Sequence, residues 1–195
     1  MNSYVVAITG ASGVVYGVRF IEALLSLGHE VHLVLSEAAC IVLEQEMGWD
    51  RRDLDILALQ NYFPQQHLQV YHNRDIAAPI ASGSFPTDGM IIIPCTMSTL
   101  AAVAHGMSND LMERTADVML KEHRQLILVP RETPLNSIHL RNMLSLADMG
   151  VHIVPAMPGF YHQPQSLDDM VNFMIGKILD IMKIPNNFFQ RYQGK

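Results

Sequence analysis

The sequence contains little charge. Asp, Glu, Lys and Arg make up 16% of its 195 residues, whereas about 25% is typical of globular proteins. The 13 basic residues are outnumbered by 19 acidic ones, which gives a net charge of −6 with histidine neutral. Because binding to a phosphate backbone needs clustered basic side chains, we do not expect a nucleic-acid-binding protein. We expect part of the surface to be covered by other subunits, since a domain that stands alone needs more solvated groups.

Cysteines and long apolar runs are also scarce. Two cysteines, Cys40 and Cys95, are too few for a disulfide-stabilised scaffold. The longest apolar runs, such as residues 90–93, are as long as a strand, and a membrane-spanning helix needs about 20 residues. We recognise no secretory leader before the first predicted strand, and the histidines form no zinc-binding pattern. We therefore expect a cytoplasmic protein without a membrane span and without a metal site.

Short apolar runs alternate with segments of helical periodicity along the chain. The predicted strands are residues 4–9, 31–35, 90–94, 126–130 and 151–154, and the predicted helices are residues 15–27, 37–47, 99–105, 110–122, 136–149 and 166–183. This alternation implies right-handed crossovers and a mostly parallel sheet with helices on both faces. We predict one doubly wound α/β domain over residues 1–183, a Rossmann-like or flavodoxin-like three-layer sandwich. Residues 49–75 are the least regular stretch and are interpreted as an excursion whose form the sequence leaves open, and residues 184–195 are predicted to be a tail that packs on a neighbour or frays.

Small and hydroxyl-bearing residues follow the predicted strands. Ligands of open α/β sheets bind beyond the carboxyl ends of the strands. The segment Gly10–Gly13 can present backbone amides to an anion there, although a tight turn would use the same residues. Residues 94–99 open the next helix with three hydroxyls and several free amides, which suits a phosphate, a flavin tail or an elaborate helix cap. The motifs G-x-G-x-x-G and G-K-[ST] are absent, but Glu37 after Ser36 keeps an NAD-binding interpretation open.

Charged residues cluster in the second half of the chain. Arg114 and Lys121 are seven residues apart and therefore share one face of a predicted helix. Arg131 and Glu132 directly follow a buried strand. Together these side chains could hold a phosphate leaving group without a metal. An exposed helix with salt bridges is the alternative interpretation, and it fits residues 122–124 best.

An ordered set of motifs, from about residue 8 to residue 192, resembles the UbiX-type flavin prenyltransferases. The motifs are ITGASG at residues 8–13, SEAA at 36–39, ASGS at 81–84, PCTMSTL at 94–100, NDLMERTADVMLKE at 109–122, VPRETPL at 129–135 and PGFYHQPQS at 158–166. Ile76 and Tyr192 stand where relatives carry tryptophan. The resemblance implies metal-independent transfer of a dimethylallyl group from dimethylallyl phosphate to N5 and C6 of reduced FMN.

The resemblance also implies a product and an assembly. The product, prenylated FMN, would be passed to a UbiD-type decarboxylase, in many bacteria for ubiquinone biosynthesis. The subunits would form a homo-oligomer, a dodecamer, with sites at the subunit junctions.

Roles for individual residues follow from the same resemblance. FMN would contact a set of strand-end residues: Gly10, Ala11, Ser12, Ser36, Thr96, Met97, Ser98, Thr99 and Arg131. Tyr161 and Lys177 would bind dimethylallyl phosphate, with Arg114, Lys121 and Glu132 around the pocket. Ser12 and Glu46 would act in proton transfer and flavin positioning.

Two other functions remain open at this point. One is an FMN-dependent decarboxylase that acts on cysteine-ending peptides or on phosphopantothenoylcysteine, built on a related fold. The other is a non-catalytic FMN carrier subunit. Cys95 has no base beside it in the sequence, and we interpret it as a packing residue.

Overall fold

The computed structural model describes residues 1–50, 54, 56–63 and 67–192. Within these residues, six strands form one sheet: β1 Ser3–Ile8, β2 Glu30–Leu35, β3 Leu68–His72, β4 Gly89–Cys95, β5 Gln125–Pro130 and β6 His152–Ile153. Their order is β3-β2-β1-β4-β5-β6, and every pairing is parallel. The order reverses at β1, which confirms the predicted doubly wound topology.

Helices cover both faces of the sheet. They are α1 Val14–Ser26, α2 Glu37–Met47, α3 Ile56–Tyr62, α4 Met97–Ala104, α5 Leu111–Lys121, α6 Ser137–Asp148 and α7 Leu167–Ile181. One hydrophobic core lies between the sheet and the layer that contains α1 and α7, and it includes Ile8, Phe20 and Ile175. The other lies under α4 and α5 and includes Ala7 and Leu100. Successive residues of β1 enter opposite cores because side chains alternate along a strand, and the result is the predicted three-layer sandwich.

Side-chain caps define where helices begin. In the described part of the chain, α2, α4, α5, α6 and α7 each start after a residue whose side chain accepts a hydrogen bond from a first-turn amide: Ser36, Thr96, Asp110, Asn136 and Ser166. Such caps satisfy amides that have no acceptor within the helix. Two of these caps, Ser36 and Thr96, are also predicted FMN contacts, so each residue has a structural task as well.

The structure shows the form of the described part of residues 49–75, which the sequence left open. This part contains α3 and the edge strand β3. Leu68 and Val70 of β3 are buried, and Gln69 between them is exposed. An edge strand buries alternate side chains and therefore lacks the continuous apolar run by which the inner strands were recognised. Residues 51–53, 55 and 64–66 lie outside the described residues.

The end of the chain packs on α7 of the same molecule. Arg191 forms a two-pronged ion pair with Asp180, with nitrogen–oxygen distances of 2.7 and 2.9 Å. Phe189 lies against Gly176, where a Cβ atom would come within 2.4 Å of its ring. This docking replaces the predicted fraying for residues 184–192; residues 193–195 lie outside the described residues.

In the part of the chain that the structure describes, no helix combines the length and the apolar character needed to cross a membrane.

Candidate functional site

The loop after β1 leads into α1 at the carboxyl edge of the sheet. Gly13 adopts a φ of 95°, in the left-handed region that glycine tolerates best. The Glu46 carboxylate accepts hydrogen bonds from the amides of Gly13, at 2.9 and 3.2 Å, and of Val14, at 3.1 Å. A carboxylate of the chain itself therefore occupies the positive end of the α1 dipole. One amide of the predicted anion site, that of Gly13, is thereby engaged, and those of Ala11 and Ser12 donate no hydrogen bond within the described residues.

Close packing fixes the same loop against α2. A Cβ atom on Gly10 would lie 2.4 Å from the Cβ of Ala38 and 3.0 Å from its carbonyl carbon. Glycine is needed at this position because real Cβ atoms do not approach that closely. The loop and the start of α2 are therefore held as one unit, with Ser12 exposed on it.

The start of α4 forms the second part of the edge. The Thr96 hydroxyl accepts a hydrogen bond from the Thr99 amide at 3.2 Å and donates one to the Thr99 hydroxyl at 3.0 Å. The helix-cap interpretation is therefore confirmed for this pair. Met97 and Ser98 occupy the first two helical positions, where amides have no acceptor within the helix. These two amides, with the Ser98 hydroxyl, remain for an anionic ligand.

Thr9, which the sequence reasoning did not single out, ties two strand ends together. Its hydroxyl donates to the Pro94 carbonyl at 2.7 Å and accepts from the Thr96 amide at 2.8 Å. The loops after β1 and β4 are thus held side by side at the point where the strand order reverses. The sequence feature that could have identified Thr9 is a single threonine at the end of an otherwise apolar strand.

Ser36 lies at the carboxyl end of β2, where its hydroxyl accepts from the Ala39 amide at 3.0 Å. It lines a cavity of about 910 Å³ at the ends of β2 and β3, together with apolar residues such as Leu59 and Val70. Among the predicted site residues, Ser36 alone lines this cavity within the described residues. The cavity therefore lies beside the strand-end loops rather than over them. Glu37, the acid that left NAD binding open, forms an ion pair with Arg74 at its rim.

Arg131 and Glu132 follow β5 at the same edge. The Arg131 amide donates to the Cys95 carbonyl at 3.3 Å, which places its backbone beside the end of β4. The Glu132 carboxylate accepts from the Thr133 amide at 3.0 Å, and both side chains are exposed. Cys95 is buried, and burial raises the pKa of its thiol, so the thiol stays protonated. Its assignment as a packing residue is confirmed.

Tyr161 and Lys177 lie along α7. The ring of Tyr161 is 5.6 Å from that of Phe173, one helical turn before Lys177. The carbonyl of Ile181, one turn after Lys177, accepts a hydrogen bond from the side chain of Gln125 at the amino end of β5. Since one turn is about 5.4 Å, Lys177 lies nearer the amino edge of its own sheet than the strand-end loops do.

Arg114 and Lys121 lie on α5 and already have partners. Arg114 pairs with Asp117 at 2.8 Å, and its Nε donates to the Ala81 carbonyl at 3.2 Å. Lys121 pairs with Glu122 at 2.5 Å. Lys121 is the last residue of α5, four positions before β5 begins, so it lies toward the amino edge.

The predicted site residues therefore form three groups within one chain. The strand-end group contains Gly10–Ser12, Ser36, Glu46, Thr96–Thr99, Arg131 and Glu132; the second lies on or beside α7 and the third on α5. Within the described residues, no hydrogen bond or ion pair joins the second or third group to the strand-end group. In the part of the chain that the structure describes, no three or more His, Cys, Asp or Glu side chains form a cluster suited to a metal ion.

Comparisons with known proteins place the chain in a family. The family model described as Flavoprotein matches residues 2–187. The flavin prenyltransferase UbiX of Alkalihalophilus pseudofirmus is 52% identical and covers 96% of this chain and 94% of its own length.

Two solved structures share the fold at similar identity. AnUbiX (PadA1), in complex with FMN and dimethylallyl pyrophosphate, has a TM-score of 0.91 and 41% identity and covers 100% of this chain and 98% of its own. A dodecameric FMN-dependent UbiX-like decarboxylase from Escherichia coli O157:H7 has a TM-score of 0.90 and 42% identity, covering 98% of this chain and 100% of its own. The chain therefore belongs to the Flavoprotein family and, within it, to the UbiX-type flavin prenyltransferases.

Proposed function

We propose that this chain transfers a dimethylallyl group from dimethylallyl phosphate to reduced FMN. The allylic C–O bond of the donor breaks, phosphate leaves, and the first new bond forms to N5, which loses its proton. The alkene of the five-carbon unit then takes up a proton and bonds to C6, which loses its hydrogen. The observation that carries the proposal is the near full-length identity of 52% to a flavin prenyltransferase, combined with a strand edge whose amides and hydroxyls suit an anionic flavin tail. We propose that the product, prenylated FMN, is consumed by a UbiD-type decarboxylase. Two cysteines in 195 residues fit a reducing compartment, and we place the reaction in the cytoplasm.

The strand-end group fits FMN. FMN supplies the nucleophilic ring positions. The amides of Ala11, Ser12, Met97 and Ser98 would bind its phosphate and ribityl oxygens, because none of them has a hydrogen-bond acceptor among the described residues. The Glu46 carboxylate is anchored by two α1 amides, which supports a role in positioning the flavin and the Ser12 hydroxyl.

The basic residues would stabilise the departing phosphate. Heterolysis of an allylic C–O bond places negative charge on phosphate and positive charge on the five-carbon unit. Arg114, Lys121, Arg131 and Lys177, with the Tyr161 hydroxyl, would bind the anion, and Glu132 would deliver a proton to it. Several preorganised cationic and hydroxyl groups that converge on a phosphate can stabilise its negative charge without a metal ion.

Because the three groups are separated within one chain, we infer that the active site is shared between subunits. Lys121 lies toward the amino edge and Lys177 lies between the two edges, whereas the strand-end loops lie at the carboxyl edge. We propose that neighbouring copies bring these groups together in a homo-oligomer, a dodecamer as in the E. coli relative. The α6 surface supports this: Ile138, Leu140 and Leu144 are 53% to 62% exposed in the single chain, and a second copy would cover them.

The experiment that tests the function is an anaerobic assay with reduced FMN and dimethylallyl phosphate. We expect FMN to gain one five-carbon unit by mass spectrometry, with phosphate released in equal amount. A parallel reaction with dimethylallyl diphosphate identifies the preferred donor. Decarboxylation of a cysteine-ending peptide without any prenyl transfer would establish the decarboxylase instead, and tight FMN binding without turnover of either substrate would establish a carrier.

A further inference from the structure

His162 is part of a three-ring cluster beside the predicted donor-binding tyrosine. Its imidazole stacks on Phe173 of α7, with ring centroids 5.0 Å apart and an interplanar angle of 7°. Tyr161 meets both rings edge-on, at 5.9 Å from His162 and 5.6 Å from Phe173, with interplanar angles of 78° in both cases. Stacked and edge-to-face arrangements at these distances are the favourable geometries for aromatic pairs.

The imidazole makes no hydrogen bond. Both ring nitrogens of His162 are buried and have no partner among the described residues. Buried polar atoms without partners cost stability, and atoms that solvent cannot reach are also out of reach of a ligand in this conformation. The contribution of His162 to its surroundings therefore comes from the faces and edges of its ring.

The cluster restrains Tyr161 from several sides. A Cβ atom on Gly159 would lie 3.1 Å from Cε1 of Tyr161 and 3.2 Å from Cζ of Phe173, so glycine makes room for this contact. The ring of Tyr192 approaches Tyr161 edge-on at 5.9 Å. Tyr161 nevertheless remains 53% exposed. One part of its ring is packed, and the rest is available to a ligand.

We propose that His162 is a positioning residue for Tyr161. By stacking on Phe173 and contacting the edge of Tyr161, it fixes the orientation in which the tyrosine hydroxyl binds the phosphate of the donor. The inference rests on the proposed function, because that function assigns Tyr161 to donor binding. His162 touches neither FMN nor the donor; it acts through ring packing, and its nitrogens take no part.

Variants at position 162 separate ring packing from hydrogen bonding. We expect His162→Ala and His162→Leu to raise KM for dimethylallyl phosphate by about 3- to 10-fold, the range that loss of an aromatic contact produces, with the Kd for reduced FMN unchanged. His162→Phe keeps the stack and replaces the buried nitrogens with carbon, so we expect the KM of the wild type and a higher Tm. His67→Ala, in an exposed loop outside the cluster, is the matched control and should leave both constants unchanged.

A double-variant cycle tests whether His162 acts through Tyr161. In the Tyr161→Phe background, adding His162→Leu should raise KM by less than 2-fold, because the hydroxyl to be positioned is already absent. The proposal is overturned if His162→Phe loses as much donor affinity as His162→Leu, if His162→Leu keeps the KM of the wild type, or if the two effects multiply in the double variant. A wild-type enzyme that adds no five-carbon unit to FMN would instead refute the proposed function.

Discussion

At the residue scale, several site residues have a structural task that the motifs do not reveal. Glu46 is the clearest case: its motif position implies a catalytic role, and its carboxylate caps the first amides of α1 from a different helix. Thr96 and Ser36 combine a predicted contact with FMN and a helix cap. Substitutions at such positions change both ligand binding and stability, so the two effects have to be measured separately.

Removal of the Glu46 carboxylate should destabilise the protein. Glu46→Ala leaves the amides of Gly13 and Val14 without their acceptor, and loss of a helix cap typically costs about 0.5–2 kcal/mol. Glu46→Gln keeps one oxygen acceptor and should lose less. Denaturant unfolding of the FMN-free protein measures both variants. An unfolding free energy of Glu46→Ala equal to that of the wild type would show that the cap contributes nothing.

Substitutions in the α7 group should affect prenyl transfer more than FMN binding. Tyr161→Phe and Lys177→Ala each remove one group that we assign to the donor phosphate, and loss of one preorganised group typically slows catalysis about 10²- to 10³-fold. The Kd for reduced FMN should change little, since FMN is assigned to the strand-end group. Single-turnover rates and fluorescence titration measure the two quantities. Equal losses in both would contradict these assignments.

At the scale of elements, long-range contacts decide which helices and strands lie next to the site. The edge strand β3 and the helix α3 fall in a segment whose form the sequence left open, because an edge strand shows only half an apolar pattern. Tyr71 of β3 also completes a polar network around the buried His32 that joins three strands. His32 of β2 lies 2.9 Å from the Ser3 hydroxyl of β1 and 3.2 Å from the Tyr71 hydroxyl of β3.

This network predicts that stability decreases in mild acid. His32 is 2% exposed; burial lowers its pKa below the usual value, and Glu30, at 3.7 Å, opposes that shift only in part. Because the folded state binds this proton less readily than the unfolded chain does, the unfolding free energy falls as the pH drops below the ordinary histidine value of about 6.5.

Chemical denaturation at pH values from about 7.5 down to about 5 measures the effect. The series stops at about pH 5 because most carboxylates are still ionised there. In His32→Gln the slope with pH should be smaller, although the protein is less stable at pH 7.5. His29 also has its pKa lowered, by burial first and by the amino terminus second, so His29→Gln is the comparison variant. An unchanged slope in His32→Gln would show that another group titrates.

At the scale of the whole molecule, the charge-poor surface and the separated site groups have one explanation. A single chain exposes apolar side chains on α6 and holds Lys121 and Lys177 away from the strand-end loops. Both features are accounted for if copies of the chain assemble and share sites. The mass of the particle in solution therefore bears on the catalytic mechanism as well as on stability.

Charge on the α6 surface should dissociate the assembly. We expect the wild type to behave as a particle much larger than a dimer in light scattering. Leu144→Glu, alone or with Ile138→Glu, should yield smaller particles, because a carboxylate buried without a partner is costly. Prenyl transfer should fall in parallel, with the fold retained by circular dichroism. The control is Leu27→Glu, at the exposed residue that follows α1. A wild-type particle of 22 kDa would refute the shared site.

Much of this protein was determined by the sequence alone. The inner strands are continuous apolar runs because they are buried on both faces, and Ser36, Asp110, Asn136 and Ser166 mark helix starts by local hydrogen bonds. Strand–helix alternation then implies the doubly wound sheet and the edge at which ligands bind. Such inferences succeed because they depend on neighbouring residues only.

Only the tertiary structure decided which distant residues meet. The bonds from Glu46 to Gly13, from Thr9 to Pro94 and from Tyr71 to His32 join residues 33, 85 and 39 positions apart. It also decided that Lys121 lies toward the opposite edge from Arg131 and that Lys177 lies between the two edges, which shared motifs cannot show. The physical reason is that such contacts depend on how helices and strands pack in three dimensions. The pattern of neighbouring residues does not specify which distant residues come into contact.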